Sequence, residues 1–448
     1  MLEKLFKLKE NNTNVRTEIL AGLTTFMTMA YIIVVNPGVI SEIEKAMPGK
    51  GMPFDGVMIA TVLSAAFATL LMGLLANYPF ALAPSMGLNA YFTYEVVLRM
   101  GYSWQVALGA VFISGVVFLA LTLAKVREAI IDAIPLSVRH AISAGIGLFI
   151  AFIGMKNAGI VMSNPATFVT LGKLTSGPTL LAAIGLLLTG ILMARKVKGG
   201  ILLGILGTTV IGALFFPDFA YIRETLFKPW TWVAMPNWTD FGKVVFKADV
   251  LGALNIGFFN IIFAFLFVDM FDTVGTLVGI SEKAGFLNKE GKLDRATQAL
   301  VADSIGTIAG SGLGTPTVTT YVESASGVAY GGRTGLTAVT VALLFLAALF
   351  LSPIFKIIPS AATAPALIVV GALMISRVGM IDWDDFSEAL PAFIAMAAMP
   401  FTFSIANGIA LAFVLYPIIK LASGKGKEVH PLAYILCVLF IAKFIYLG

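Results

Sequence analysis

Hydrophobic and polar positions alternate along this chain in long blocks. Apolar runs near residues 18–40, 55–76, 84–98, 104–124, 136–157, 178–195 and 200–216 lead to a polar, Trp-bearing stretch from Pro217 to Asp249. Further runs follow near 250–281, 294–311, 322–331, 334–352, 358–376, 387–402 and 404–421, with an apolar tail at 431–447. A helix needs about 20 apolar residues to cross the hydrocarbon core, so the pattern predicts an all-α polytopic membrane protein of about 14 transmembrane spans. The 217–249 stretch divides it into two halves, 1–216 and 250–448.

The third run of each half is short and broken. Tyr78-Pro-Phe-Ala-Leu-Ala-Pro84 leads into Ser85-Met-Gly-Leu-Asn-Ala-Tyr91, and Gly310-Ser-Gly-Leu-Gly-Thr-Pro316 leads through Thr317-Val-Thr-Thr320 into Tyr321-Val-Glu-Ser-Ala-Ser-Gly327. Pro79, Pro84 and Pro316 with Gly310, Gly312 and Gly314 oppose a continuous helix, and Thr-Val-Thr-Thr favours extended backbone. The expectation is a short strand followed by a half-helix in each half, buried against protein or lining a cavity because such backbone cannot face lipid.

The halves also share Ile40-Ser-Glu42 with Ile280-Ser-Glu282, and Ile134-Pro135 with Ile358-Pro359, in the same order. Seven spans each would make them inverted repeats, the plan of many secondary transporters, whose binding sites sit at paired interruptions. Basic clusters at Lys4/Lys7/Lys9, Lys125/Arg127, Arg195/Lys196/Lys198, Lys283/Lys289/Lys292/Arg295 and Lys420/Lys425/Lys427 fall on one side if the N-terminus is cytoplasmic. The 217–249 loop is then extracytoplasmic, with Trp230, Trp232 and Trp238 as interfacial anchors.

Composition agrees: 58% of residues are hydrophobic and 12% charged, against roughly a quarter charged in soluble proteins. The net charge of +5 is dispersed between spans, which argues for orientation in a lipid bilayer and against nucleic acid. The lone Cys437 excludes an internal disulfide, and His140 with His430 offers no metal cluster. No cofactor, no metal and no enzyme activity are expected. The N-terminal basic residues resemble a signal peptide only superficially. The following apolar run is too long and lacks a clear cleavage site, so an uncleaved first span is expected.

Candidate chemistry centres on Phe267-Val-Asp-Met-Phe-Asp-Thr-Val-Gly-Thr-Leu-Val-Gly279. On a helix Asp269, Asp272, Thr273 and Thr276 form one polar stripe. An Asp at the bilayer centre costs roughly 2.5 to 3.5 kcal/mol, so these acids are expected to face a wet cavity or a polar ligand. Asn89 and Glu323, just inside the two half-helices, converge with them. Carboxylates accept N–H bonds, an amide donates and accepts, and half-helix N-termini donate, which suits a planar ligand with ring N–H groups and carbonyls. Asp269, Glu323, Asn89 and Thr273 are therefore the candidate substrate-binding residues; Asp272 and Asp303 are the candidate proton-coupling residues. The alternatives are a half-helix cap for Glu323, a helix–helix hydrogen bond for Asn89, and bonds to freed backbone groups for Asp303. Glu95 and Arg99 are expected to pair, Arg333 to orient the span after it, and Asp382, Asp384, Asp385 and Glu388 to form a solvated loop and helix start.

Gly22-Leu-Thr-Thr-Phe-Met-Thr-Met-Ala-Tyr31 with Asn36-Pro37-Gly38, Pro84-Ser-Met-Gly-Leu-Asn-Ala-Tyr91, Asp269-Met-Phe-Asp-Thr-Val-Gly-Thr276, and Glu323-Ser-Ala-Ser-Gly-Val with Gly331-Gly-Arg-Thr-Gly335 resemble the AzgA-like purine permeases of the nucleobase-ascorbate transporter superfamily. The resemblance implies two inverted seven-span repeats and a core domain of spans 1–4 and 8–11, about residues 16–124 and 250–352. It implies a gate domain of spans 5–7 and 12–14, about residues 125–216 and 353–448, and short strands before half-helices 3 and 10. It further implies proton symport of adenine, guanine or hypoxanthine across the cell's inner (plasma) membrane by a homodimer joined through its gate domains. Its binding carboxylates fall on Asp269 and Glu323, its second span-8 acid on Asp272, and its span-3 Asn on Asn89. Against fourteen spans the tail at 431–447 is surplus, so the residues near Pro400 are expected within a continuous or kinked helix. The rival reading is an anion transporter of the same architecture, carrying sulfate or bicarbonate, which would want bare half-helix N-termini or an Arg rather than carboxylates.

Overall fold

A computed structural model describes residues 2–124, 135–228, 231–256, 261–286, 288 and 293–446. Trp230, Lys125, Arg127, Ile134, Lys289, Lys292 and part of the run 250–281 lie outside the described residues, as does the end of the apolar tail. Among the described residues eight helices are long and apolar enough to cross a membrane: Val15–Ala46, Phe54–Ala76, Trp104–Leu123, Leu136–Asn157, Gly177–Ala194, Gly335–Lys356, Ser360–Met380 and Ile405–Ala422.

In chain order the first half supplies α1 (Val15–Met29), α2 (Ile32–Ile40) and α3 (Phe54–Leu71), then strand β1 (Leu82–Pro84) and the half-helix α4 (Met86–Ala90), which runs on as a π-helix through Tyr91–Arg99. There follow α5 (Trp104–Leu123), α6 (Leu136–Asn157), an exposed hairpin of β2 (Val161–Asn164) and β3 (Phe168–Leu171), α7 (Gly177–Ala194) and α8 (Gly200–Phe215). The second half supplies α9 (Phe263–Ala284), α10 (Ala296–Leu313), strand β4 (Val318–Thr320), half-helix α11 (Ser324–Tyr330) and α12 (Gly335–Ala348). It closes with α13 (Ser360–Met374), α14 (Phe386–Phe401), α15 (Ile405–Ala422) and α16 (Pro431–Tyr446).

The helices pack in two sets. Residues 15–123 and 263–348 form one, in which α1 meets α11 and α12, α3 meets α10 and α12, and α5 meets α9 and α10. Residues 136–215 and 360–446 form the other, with α6 against α13 and α14, and α7 against α8 and α13. The sets touch where α6 meets α4 and α9, where α2 meets α13, where α8 meets α1, and where α15 meets α9.

The expected strands are present, and they meet. β1 and β4 pair antiparallel, with Leu82 opposite Thr320, Ala83 opposite Thr319 and Pro84 opposite Val318. The Ser85 amide donates to the Thr317 carbonyl and the Tyr321 amide to the Ala81 carbonyl, each at 2.9 Å, extending the ladder at both ends. A two-stranded ribbon leaves two outer edges bare, which buried backbone does not tolerate. Here each edge is met by a threonine hydroxyl from a neighbouring helix. Thr69 of α3 donates to the Leu82 carbonyl and accepts from its amide, both at 2.9 Å. Thr307 of α10 does the same for Val318, at 3.0 and 3.3 Å.

Two expectations are corrected. Pro400 lies inside α14, but no continuous or kinked helix carries the chain on into α15: α14 ends at Phe401, Phe403 takes a left-handed backbone (φ 53°), and Ser404 caps α15. The apolar tail is a helix, α16, packed on α15. The acidic patch is not simply solvated. Lys420, only 2% exposed, holds Glu388 at 2.7 Å, Glu428 at 2.9 Å and Asp385 at 3.5 Å, and Ser137 of α6 donates to Glu388 as well. A buried ammonium needs such partners because its desolvation is otherwise uncompensated. The 217–249 segment is more ordered than a plain loop, with short helices at Ile222–Leu226 and Trp238–Gly242. It is tied down by the Phe246 amide on the Gly312 carbonyl (2.7 Å) and the Asp249 amide on the Gln105 carbonyl (2.8 Å).

Candidate functional site

The half-helices begin where the ribbon ends. α4 starts at Met86 directly after β1, and α11 at Ser324 four residues after the end of β4. Because the strands are antiparallel, the helices leave the crossing in opposite directions, and both point the positive ends of their dipoles back at it. α9 runs past this crossing, packed on β4, α4 and α11.

The polar stripe predicted on α9 divides between two surroundings. Asp272 faces the crossing: its Oδ2 accepts from the Ser85 hydroxyl at 2.8 Å and the Thr319 hydroxyl at 3.4 Å, one from each strand–helix junction. Asp269, one turn earlier, is fully buried. Thr273 turns the other way, donating to Asp303 Oδ2 of α10 at 3.0 Å. Both residues are fully buried, so this pair braces α9 against α10.

Glu323, half-buried at the mouth of α11, accepts from the Tyr31 hydroxyl at 2.5 Å. Thr28 and Ser326 share a hydrogen bond at 2.9 Å, and the Ser326 hydroxyl returns to the Glu323 carbonyl at 2.7 Å. α11 can come this close to α1 because Gly327 lacks a side chain: a Cβ there would lie 2.1 Å from Thr25 Oγ1 and 2.7 Å from the Ala21 carbonyl. On the other side, Gly87 of α4 admits α6, where a Cβ would stand 2.7 Å from Ile146 Cγ2.

Asn89 is 1% exposed, and neither its Nδ2 nor its Oδ1 has a hydrogen-bond partner among the described residues. A buried amide without partners costs about 1 to 3 kcal/mol, a cost proteins rarely keep without use. Aromatic pairs tie α9 to its neighbours: Tyr91 meets Phe265 edge-on at 5.0 Å, and Phe267 meets Phe413 of α15 at 6.0 Å.

Three participants were not singled out from sequence. Ser85 and Thr319 are one-residue features of the junctions, whose only signal is hydroxyl residues flanking a break. Tyr31 lies in a motif yet looks like any aromatic ending an apolar run. Arg333 has more than an orienting role: its guanidinium returns to the Val328 and Gly332 carbonyls at 2.8 Å, closing the C-terminal end of α11. Its amide meets the buried Glu18 carboxylate at 2.9 Å. That carboxylate also takes the amides of Thr334 and Thr337 and the Thr337 hydroxyl, capping α12. Glu95 and Arg99 pair as expected. Among the described residues no three His, Cys, Asp or Glu side chains gather as a metal-ligand set.

Comparison with known proteins places this architecture. Among solved structures, the transmembrane domain of a cyanobacterium bicarbonate transporter, BicA, superposes with a TM-score of 0.59 over 89% of this chain and 97% of that one, at 16% identity, a likeness of fold alone. The adenine permease AdeP of Escherichia coli (strain K12) is 44% identical over 447 residues, 100% of this chain and 96% of that protein. The guanine/hypoxanthine permease PbuG of Bacillus subtilis (strain 168) is 46% identical over 458 residues, 100% of both. The profile of the Permease family matches residues 16–411. With that match, relatives aligned end to end, and the four motifs standing around one strand crossing, the chain belongs to the Permease family, as an AzgA-like member of the nucleobase-ascorbate transporter superfamily.

Proposed function

We propose that this multi-pass membrane protein is a secondary active transporter that imports a purine nucleobase (hypoxanthine, adenine or guanine) by proton symport. The observation that carries the reading is the crossing itself, where Asp272 accepts from the Ser85 and Thr319 hydroxyls, Glu323 stands at the start of the second half-helix, and the first half-helix carries Asn89, whose buried amide has no partner among the described residues. Relatives named as adenine and guanine/hypoxanthine permeases support the substrate class.

In this reading Asp269 and Glu323 accept ring N–H groups, and Asn89 pairs with a donor–acceptor edge of the heterocycle. Asp272, linked through Ser85 and Thr319 to both half-helices, carries the proton. The Thr273 hydroxyl, donating to Asp303 Oδ2, holds α9 in register against α10. A bound proton discharges the acidic site, so the loaded carrier crosses with less desolvation cost than the empty, charged one.

The first helix set is the core and the second the gate, as two inverted seven-span repeats with the N-terminus in the cytoplasm of a plasma-membrane homodimer. The matching threonines on the outer strand edges, Thr69 and Thr307, support the internal repeat. Purified protein in proteoliposomes with an inward proton gradient is expected to concentrate labelled hypoxanthine, adenine or guanine. Uptake blocked by sulfate or bicarbonate and indifferent to purines would instead select the anion-transporter reading, which the BicA-like fold alone does not distinguish.

A further inference from the structure

Phe403 is a bulky residue in a left-handed backbone, a conformation that costs an L-residue with a side chain and is kept where the surroundings require it. Its position explains what the strain achieves. The Thr402-Phe-Ser404 link between α14 and α15 swings the ring into a cluster of edge-on contacts: Phe149 at 5.2 Å and Phe152 at 5.9 Å on α6, and Tyr94 at 5.5 Å on the π-helix that continues α4. The Lys156 ammonium stands 4.8 Å from the Tyr94 ring and 5.6 Å from the Phe403 ring, and the Asn157 side chain reaches the Tyr94 hydroxyl at 3.5 Å.

Every partner but Tyr94 belongs to the second helix set. Tyr94 belongs to the first, next to Thr93 and about one turn beyond Asn89 on the half-helix that forms the site. The cluster also has a definite side. The helix carrying Tyr94 leads through residues 100–103 into α5, whose Gln105 carbonyl takes the Asp249 amide. α6 ends at Asn157, leading through the β2–β3 hairpin into α7, whose first residue, Gly177, lies against Asp218. Both routes reach the face covered by the 217–249 segment.

We propose that Phe403, with Lys156 above it, is the wedge that closes the site toward the 217–249 face, and that Tyr94 is the half-helix's own side of that closure. Aromatic edge-to-face and ammonium–ring contacts suit this task because each is weak, and those of Tyr94 with Phe403 and Lys156, along with its hydrogen bond to Asn157, break together when the half-helix slides past α6. The inference rests on the reading that the two helix sets move against each other. It adds which side chains seal one face and where the two sets must part.

The test reads accessibility, not transport. In a Cys437→Ser background, which removes the chain's single cysteine, Thr93→Cys is labelled with a membrane-impermeant thiol reagent applied from the 217–249 face. Thr93 is fully buried, so labelling reports opening. Phe403→Gly, which removes the ring and relieves the backbone, is expected to raise the labelling rate by about two- to tenfold, since the aromatic contact with Tyr94 across the boundary is lost. Lys156→Ala, a change at an exposed residue that leaves the fold intact, is expected to raise it about two- to fivefold. Unchanged labelling in both variants overturns the closure, even in a protein that takes up purines. Labelling that rises as described in a protein that moves no purine keeps the closure and removes the purine reading.

Discussion

Asn89→Leu offers a sharp test because a binding role and a packing role predict opposite signs. The amide sits 1% exposed with both polar atoms lacking partners among the described residues. Stranding such a group costs about 1 to 3 kcal/mol, and leucine is close to it in size, so the ligand-free protein should gain about 1 to 2 kcal/mol of stability. The ligand should lose what the amide supplied. Two hydrogen bonds, each worth about 0.5 to 1.5 kcal/mol net, weaken binding by about 1 to 3 kcal/mol, or roughly 5- to 150-fold. Unfolding of detergent-solubilised protein, with and without hypoxanthine, reads both effects. At a hundred times its dissociation constant a ligand stabilises by about 2.7 kcal/mol, whereas after a hundredfold loss of affinity the same concentration gives only about 0.4 kcal/mol. A variant that is less stable without ligand, and that keeps the full ligand increment, would refute the assignment and make Asn89 a helix–helix contact.

Three further outcomes follow from the geometry. Glu18→Ala strands the amides of Arg333 and Thr334 and removes the acceptor of the Thr337 hydroxyl at a buried helix start, and should destabilise by about 3 kcal/mol or more in thermal unfolding, while Glu18→Gln keeps part of the cap and loses less. Gly87→Val drives a side chain into Ile146 across the boundary between the helix sets, so substrate exchange in proteoliposomes should fall by at least about tenfold with the protein still folded. Lys425, with Ser387, holds the Asp385 carboxyl below its usual range, so its stabilising contribution is present above the unfolded value of about 3.9 and fades as pH falls through the lower folded value. Asp385→Asn should therefore melt earlier than the parent at neutral pH, and the two melting curves should converge on acidification.

The breaks at 78–91 and 310–327 are legible in sequence because proline, glycine and β-branched residues act on the backbone locally. The stripe of Asp269, Asp272 and Thr273 is legible because charge inside an apolar run has few bland explanations. Thr69 and Thr307 are not, since a threonine in an apolar helix usually bonds its own backbone, and only the fold brings strand edges to these two. Thr273 turns toward Asp303 rather than the crossing because α9 is packed on both sides, a choice that helical periodicity does not make. Lys420 reads as one more basic residue at a span's end until the chain folds Glu388 and Glu428 onto it. The break at Phe403 was hidden by proline at 400, which marks a kink or a stop with equal ease.

The central claim is that buried acids here are tolerated because a heterocycle and a proton arrive to neutralise them. Calorimetric titration of the purified protein with hypoxanthine, repeated in buffers of different ionisation enthalpy, measures the protons taken up as the ligand binds. The account predicts net proton uptake that is lost in Asp272→Asn while measurable hypoxanthine binding remains. Binding with no proton uptake across the neutral and mildly acidic range, or uptake unaltered by that substitution, would contradict it.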